Sequence, residues 1–346
     1  MGIFNFLKFK PEKKEIYSTE FITNGECDTY YNFCGDTSYV TWQENYINSN
    51  TNFSNVVFLD WINRTKLLED SYDSYSKFIS YDLDIKDPIK KYKDFIKKEY
   101  LKKGSLQLIL ETYKVTDLKK ILKENNLKLS GKKAELISRI LSQVSIESLQ
   151  PYIKNNVYEL TQKGLDYINK YDYYIKLYNY RSFCIGPIEF DRCRNTFNAD
   201  SPNFYDVMIK ILDARIHFFK EEDSYGLLRN TFYNKSIIMK DLGLFDEEFR
   251  YLLYVSYIDL SGVCNSNYIY DYEDMIFPPA IAEFIFDKKD YFNLNYVDEA
   301  FNINLPFRYF EKDTFIAIIN DILKGENVDF AKYKKYANLI PTKIMY

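Results

Sequence analysis

The alternation of apolar and polar positions predicts helices over most of the chain, and it is most regular between residues 113 and 142. Two short apolar stripes follow each other there at helical spacing. We expect them to form a helical hairpin whose open end is closed by Leu127 and Leu129. The first stripe contains Val115, Leu118, Ile121 and Leu122, and the second contains Ala134, Ile137 and Leu141, flanked by Leu136 and Ile140.

The segment between the stripes carries the signals of a tight turn. Ser130 is predicted to be the N-cap of the second helix, because its hydroxyl can accept a hydrogen bond from the first unbonded amides. Gly131 follows, where the backbone must turn sharply or approach another group closely. The first amides of the second helix would then form an anion site, with Lys132 and Lys133 beside it.

Towards the N-terminus the pattern is less regular. β-like runs at residues 38–42 and 55–61, separated by a polar loop, predict a small α+β or irregular module. Asp87 and Pro88 then predict a helix start, and Gly104 its end. After a break near residue 151, Thr161 is a candidate N-cap for a helix from residue 162 to about 180.

Beyond residue 203, helices are predicted at hairpin spacing. The pair around Gly243 resembles a tetratricopeptide-type hairpin, because Phe232, Ser236, Gly243, Phe245 and Leu252 fall near that repeat's preferred positions. Glu248 stands where the repeat has a small residue, and no period of about 34 residues emerges, so the resemblance covers one degenerate repeat. The predicted helices are 204–221, 225–242, 245–260, 279–286, 296–301, 312–323 and 330–339.

Together these elements predict a mainly α fold in five parts. The parts are a basic arm at 1–15, an N-terminal α+β or irregular module at 16–84, a basic module at 86–170, a helix and linker at 171–202, and an acidic α-helical domain at 203–346.

Composition narrows the chemistry. The five cysteines include no C-x-x-C pair and His217 is the only histidine, which argues against a zinc site. Widely spaced thiols indicate a cytoplasmic protein, and no apolar run is long enough to span a membrane. Lysine outnumbers arginine 37 to 9 and aromatic residues make up 18% of the chain. We attribute both to an AT-rich genome, so single tyrosines are not taken as base-stacking platforms.

Charge is strongly segregated along the chain. Residues 86–139 hold 16 basic and 7 acidic residues, a net charge of +9, whereas the whole chain carries −4 and the remainder therefore −13. Such segregation is typical of a polyanion-binding module attached to an acidic body. Docking of the basic module onto the acidic one is the alternative explanation.

The order of apolar, turn and basic residues at 113–142 resembles the SAP motif, the helix–turn–helix hairpin of scaffold-attachment-type DNA-binding proteins. Val115, Leu118, Leu122, Leu127, Glu135 and Leu136 stand at its positions, and the S-G-K-K-A-E-L turn is intact. More loosely, the whole sequence resembles SAP-domain proteins of low-GC Gram-positive bacteria and their mobile elements, which implies no activity. The SAP resemblance implies nucleic-acid binding by Lys119, Lys128, Ser130, Gly131, Lys132, Lys133 and Arg139.

No catalytic constellation accompanies the hairpin. Phosphate-loop, nucleophile-elbow and metalloprotease motifs do not occur in the sequence. His217 is interpreted as a half-buried structural residue, and the acidic string Asp271, Glu273 and Asp274 as a solvated loop. We therefore expect a protein without enzymatic activity, metal or cofactor.

Two binding functions follow from these observations. The first is a DNA-binding adaptor, in which the basic module holds double-stranded DNA, with RNA as the alternative, while the acidic helical domain engages a protein partner. The second is a protein-interaction or structural component, encoded by a phage or mobile element, in which the hairpin only packs or docks protein. The charge segregation and the intact turn favour the first.

Overall fold

The fold is mainly α, as the sequence predicts. The computed structural model describes residues 51–65, 77–153, 157–198, 202–263 and 270–342. The predicted strand at 38–42 and the basic arm at 1–15 lie outside these residues. The described residues up to Asp191 form one compact unit, and those from Arg192 onward form another. The five-part division remains a prediction.

The described part of the first unit combines short helices with one antiparallel pair of strands, in which Leu101 lies opposite Leu160 and Lys103 opposite Tyr158. A 3₁₀ turn at Arg181–Phe183 follows its last complete helix. In chain order its elements are α1 (Thr51–Thr65), α2 (Phe78–Tyr81), α3 (Pro88–Lys97), β1 (Leu101–Lys103), α4 (Leu106–Thr112), α5 (Val115–Glu124), α6 (Lys133–Gln143), α7 (Ile146–Leu149), β2 (Tyr158–Leu160), α8 (Gln162–Lys170) and α9 (Asp172–Asn179), with α10 (Pro187–Arg194) at the boundary.

The strand predicted at 55–61 is wrong, because these residues belong to α1. Phe53, Val56, Leu59 and Ile62 are fully buried, at the three-residue spacing that places side chains on one side of a helix. The β-propensity of the Val, Phe and Trp residues is overridden by burial, a known weakness of local propensity.

The helix predicted to end at Gly104 ends seven residues earlier, at Lys97. Its start is confirmed, since the Asp87 side chain accepts a hydrogen bond from the Lys90 amide at 2.9 Å. Glu99 then takes a left-handed conformation with φ 60°, which interrupts the helix. Leu101 is buried opposite Leu160 in the ribbon.

The transition from β2 to α8 confirms the predicted cap, since the Thr161 hydroxyl accepts a hydrogen bond from the Gly164 amide at 3.1 Å. The helix predicted to continue to about residue 180 is instead divided at Tyr171 into α8 and α9.

The second unit is built from longer helices. Its elements are α11 (Phe204–Glu221), α12 (Tyr225–Asp241), α13 (Phe245–Ser261), α14 (Pro279–Asp287), α15 (Leu294–Phe301), β3 (Phe307–Arg308), α16 (Lys312–Leu323), α17 (Phe330–Tyr333) and β4 (Ile340–Pro341), with 3₁₀ turns at Tyr272–Asp274, Lys289–Tyr291 and Lys334–Tyr336.

The predicted helices of this unit are confirmed within a few residues, except the last. Consecutive helices α11, α12 and α13 pack against one another. Gly243 and Gly262 end α12 and α13 in left-handed conformations. The helix predicted at 330–339 is short, because a 3₁₀ turn follows α17 and Ile340 then pairs with Arg308 in a two-residue ribbon. None of the described helices meets the length and hydropathy needed to cross a bilayer.

Candidate nucleic-acid interface

The hairpin and its two flanking helices share a small apolar core of their own. Helices α4 to α7 each contribute at least one buried side chain to it. Partly buried Leu127 and Tyr113 pack against its edge, so Leu127 closes the hairpin as predicted. The core consists of Leu110, Leu118, Ile121, Leu122, Leu136, Ile137, Ile140, Val144 and Leu149.

The predicted apolar stripes have the correct helical spacing, but some of the residues assigned to the buried side of each helix are exposed. In α6 the buried side is formed by Leu136, Ile137 and Ile140, whereas Ala134 and Leu141 are exposed. Val115 in α5 and Leu129 in the turn are also exposed, so Leu129 does not close the hairpin. The sequence contained apolar residues on two overlapping stripes, and only the packing of α4 and α7 selects between them.

The turn between α5 and α6 is organised by Gly131 and Glu135. Gly131 has φ 137°, a conformation that side chains rarely adopt, and a Cβ there would lie 2.6 Å from Glu135 Oε2. Helix α6 begins at Lys133 with Lys132 as N-cap, and Glu135 accepts a hydrogen bond from the Lys132 amide at 3.3 Å. The prediction that Ser130 caps this helix is therefore wrong by two residues.

The corrected cap changes the expected anion site. The first amides of α6 have no carbonyl acceptor within the helix, as in any α-helix. A carboxylate of the chain itself, Glu135, already lies at this end. An external phosphate would therefore meet the exposed side chains of the turn beside a helix end that is partly satisfied.

Two of the predicted cations hold the hairpin together. Arg139 Nη1 donates hydrogen bonds to the carbonyl oxygens of Lys128 at 2.5 Å and of Ser130 at 3.1 Å. Lys133 Nζ donates to the carbonyl of Glu111, at the end of α4, at 2.6 Å. Arg139 thereby draws the turn onto α6, and Lys133 joins α6 to α4.

The other predicted residues are exposed. Lys128, Ser130, Gly131 and Lys132 lie together in the turn, whereas Lys119 lies on the exposed surface of α5. Neither a hydrogen bond nor an ion pair joins Lys119 to the turn within the described ranges. The structure thus groups six of the seven predicted residues around one turn and leaves Lys119 apart from them.

The carboxylates of the hairpin are engaged by uncharged donors. Asp117 accepts from the Lys114 amide at 3.2 Å, as Glu135 does from the Lys132 amide. Glu124 accepts from the hydroxyl of Tyr152, which raises the pKa of Tyr152. In the part of the chain that the structure describes, no lysine from Lys114 to Lys133 forms an ion pair within 4.0 Å. The positive charge of the hairpin is therefore not neutralised by its own acids.

Sequence reasoning missed the tyrosines that close the module. The Tyr113 hydroxyl donates to the carbonyl of Tyr152, whose own hydroxyl binds Glu124. These bonds fix the segment after α7 to α5. In a chain this rich in tyrosine, no sequence signal distinguishes these two from the rest.

The candidate catalytic groups belong to the second unit. The prediction that His217 is half-buried is wrong, because its side chain is exposed on α11, with Nε2 at 3.2 Å from Glu221 one helical turn away. Glu273 pairs with Lys334 at 2.8 Å, which lowers the pKa of its carboxyl. Among the described residues, no three His, Cys, Asp or Glu side chains gather in a way that could hold a metal ion.

Comparison with known proteins assigns the hairpin and leaves the rest of the chain unassigned. No curated protein and no solved structure matches the chain. A family model does match, over residues 109–144, which contain α5, the turn and α6. Residues 109–144 are a SAP domain, which indicates nucleic-acid binding.

Proposed function

We propose that this protein is a DNA-binding adaptor whose SAP domain contacts the phosphates of double-stranded DNA. The observation that carries the proposal is the turn at residues 128–132, where exposed lysines have no ion-pair partner among the described residues while the neighbouring acids bind amides and hydroxyls. An uncompensated cationic surface attracts a polyanion and releases its counterions on binding.

The lysine-rich composition favours phosphate contact over base recognition. Between residues 86 and 139 there are 15 lysines and one arginine, Arg139. Lysine is a point charge on a flexible stem, whereas bidentate reading of guanine is the role of arginine. Arg139 already donates to two carbonyls of the turn, so we expect weak sequence preference.

The second unit is proposed to engage a protein partner and to have no catalytic activity. The support is its helical packing and the net charge of −7 of residues 203–346, which hold 16 basic and 23 acidic residues. We also propose that the second unit contains a tetratricopeptide-like hairpin. For the whole protein we propose a bacterial or mobile-element origin and a cytoplasmic location.

The test is duplex-DNA binding by the full chain across a salt series. If about four to six phosphates are neutralised, log affinity should fall against log salt with a slope of about −4 to −5. Replacing Lys128 and Lys132 by Gln should make the slope shallower by about 2 and weaken binding about tenfold. Lys133 is left unchanged because it joins α6 to α4.

The matched control removes the same charge from the same helical pair. Lys120 and Lys123 are exposed on α5, outside the turn at residues 128–132. We expect Lys120→Gln with Lys123→Gln to weaken binding less than about threefold, the effect of net charge alone. Equal losses in the two variants, or binding that ignores salt, would contradict a phosphate site at the turn and favour a hairpin that only packs or docks protein.

A further inference from the structure

A second row of exposed lysines lies outside the SAP domain, on α3. Lys90, Lys93 and Lys97, which we call the α3 lysine row, stand at i, i+3 and i+7 and are all exposed. This spacing places them on one side of the helix over about 10 Å of its axis. The opposite side of α3 is buried through Tyr92 and Phe95.

The acids of α3 do not neutralise the row. Asp87 is engaged as N-cap by the Lys90 amide, and Asp94 pairs with Lys98 at 2.9 Å. Across the ranges that the structure describes, no member of the row forms an ion pair. The turn of the SAP domain at residues 128–132, which we call the SAP turn, has the same arrangement. In both places the acids are bound by nearby groups of the chain and the lysines are exposed.

Lys91 shows how a lysine of the same helix is used when it supports the fold. Its ammonium lies 5.6 Å from the centroid of the Phe95 ring, and burial lowers its pKa. With the residues that the structure describes, the row makes no such contact, so packing among them does not explain its positions.

The helix that carries the row, α3, is packed against two other elements of the unit. The Tyr92 ring meets the Tyr158 ring of β2 edge to face at 5.6 Å, and the Phe95 ring lies 5.9 Å from Phe58 of α1. Aromatic pairs of this kind stabilise packing beyond the area that they bury. The three ammonium groups are therefore presented by a helix held to two neighbouring elements.

The row and the SAP domain are joined by a short, hydrogen-bonded connection. Eight residues separate Lys97 from Leu106, and three of them form β1, paired with β2. The Gly104 amide then donates to the carbonyl of Val157 at 2.7 Å, and the Ser105 hydroxyl caps α4. Both cationic surfaces belong to one compact unit, so binding of a duplex at the turn of residues 128–132 raises the concentration of phosphates around the row.

We propose that the α3 lysine row is a second phosphate-binding surface, which extends the DNA contact beyond the SAP domain. The inference rests on the proposed function for its ligand, duplex DNA, and deepens it by assigning residues outside the family match. Each neutralised phosphate contributes about 0.9 to the salt slope, so three lysines contribute about 2 to 3.

The experiment replaces Lys90, Lys93 and Lys97 together by Gln in the full chain. Duplex-DNA affinity is measured from about 50 to 300 mM salt, a range over which phosphate contacts dominate the change. We expect the slope to become shallower by about 2 to 3 and binding at low salt to weaken by about tenfold or more. Thermal unfolding should be unchanged within a few degrees, because the three side chains of the row are exposed.

The control removes three lysines from ion pairs of the same unit. Lys98, Lys163 and Lys176 pair with Asp94, Glu99 and Asp172, at 2.9, 3.8 and 2.8 Å. Their replacement by Gln changes the net charge of the chain as much as the test does, so it reports long-range attraction alone. We expect it to weaken binding less than about threefold.

The outcomes separate the two proposals. A triple variant that loses no more slope or affinity than the control overturns the inference, whatever the Lys128 and Lys132 variant does. A loss in the triple variant with none in the turn variant supports the row and contradicts the turn as a phosphate site. Equal losses on single-stranded RNA and on duplex DNA would overturn duplex DNA as the ligand.

Discussion

Lys128 and Lys132 in the turn of the SAP domain have an environment opposite to that of Arg229 and Lys235 in the second unit. Near the SAP turn, lysines are exposed and the acids beside them bind amides or hydroxyls. In the second unit, Arg229 makes a bidentate pair with Asp259 at 2.9 and 2.7 Å, and its side chain is only 18% exposed. Lys235, still more buried, pairs with Asp213. Arg229 and Lys235 hold helices of the second unit together, whereas the lysines of the turn remain accessible to an external anion.

This difference follows from the size of the two cores. The second unit buries long aromatic and aliphatic surfaces, and its interior lowers the local dielectric, so a charge enters it only with a partner. The SAP domain contributes eight buried residues to its small core, too few to enclose ionised side chains. Its lysines therefore remain in water, where a surface ion pair would contribute little to stability.

The largest expected contrast comes from removing one cation in each region. Arg229→Met leaves the Asp259 carboxylate without its bidentate partner, so we expect the free energy of unfolding to fall by about 3 kcal/mol. Lys120→Met, at an exposed position of α5, should change it by less than about 0.5 kcal/mol. Urea unfolding at pH 7 measures both. Similar changes in the two variants would contradict the contrast.

A medium effect is expected at the turn glycines, one from each region. Gly131→Ala strains the backbone at φ 137° and pushes against Glu135, so we expect a loss of about 2 kcal/mol. A Cβ at Gly243 would meet no atom of the described residues within 4 Å, so Gly243→Ala should cost only the left-handed conformation, about 1 kcal/mol. Thermal unfolding of both variants measures the difference, and an equal or reversed order would show that Glu135 does not constrain the SAP turn.

The smallest expected effect concerns an acid of the second unit. Glu248 is 3% exposed, its Oε2 has no hydrogen-bond partner among the described residues, and Lys288 lies 3.6 Å away. Burial raises the pKa of Glu248, although Lys288 opposes the shift. We expect Glu248→Gln to be neutral or to stabilise the protein by up to about 1 kcal/mol at pH 7.

The pH dependence of the stability of Glu248→Gln tests whether the pKa of Glu248 is raised in the folded protein. A carboxyl whose folded pKa exceeds its unfolded value near 4.5 binds more protons in the folded state over that interval. The wild type therefore gains stability relative to Glu248→Gln as pH falls from 7 towards 4.5, and the advantage of the variant shrinks. Urea unfolding at pH 7 and pH 5 checks this, and an advantage that grows at pH 5 would contradict a raised pKa.

Helix positions and the SAP motif were accessible from the sequence, because both are encoded locally. The caps Asp87 and Thr161 and the glycine at 243 mark helix ends through bonds to residues a few positions away. The SAP hairpin likewise combines apolar spacing with a glycine whose left-handed conformation only glycine adopts readily. These features need no knowledge of distant contacts.

Three features depend on contacts between residues far apart in the sequence, and only the tertiary structure decided them. It turned residues 55–61 into a helix, because Val56 and Leu59 are buried on the same side of that helix, and it ended α3 at Lys97, because Leu101 pairs with Leu160. It also separated Arg139 and Lys133, which bind carbonyls of the fold, from the exposed lysines of the turn. Sequence alone determines how many charges a segment carries, whereas only the folded chain determines which of them its own atoms have already engaged.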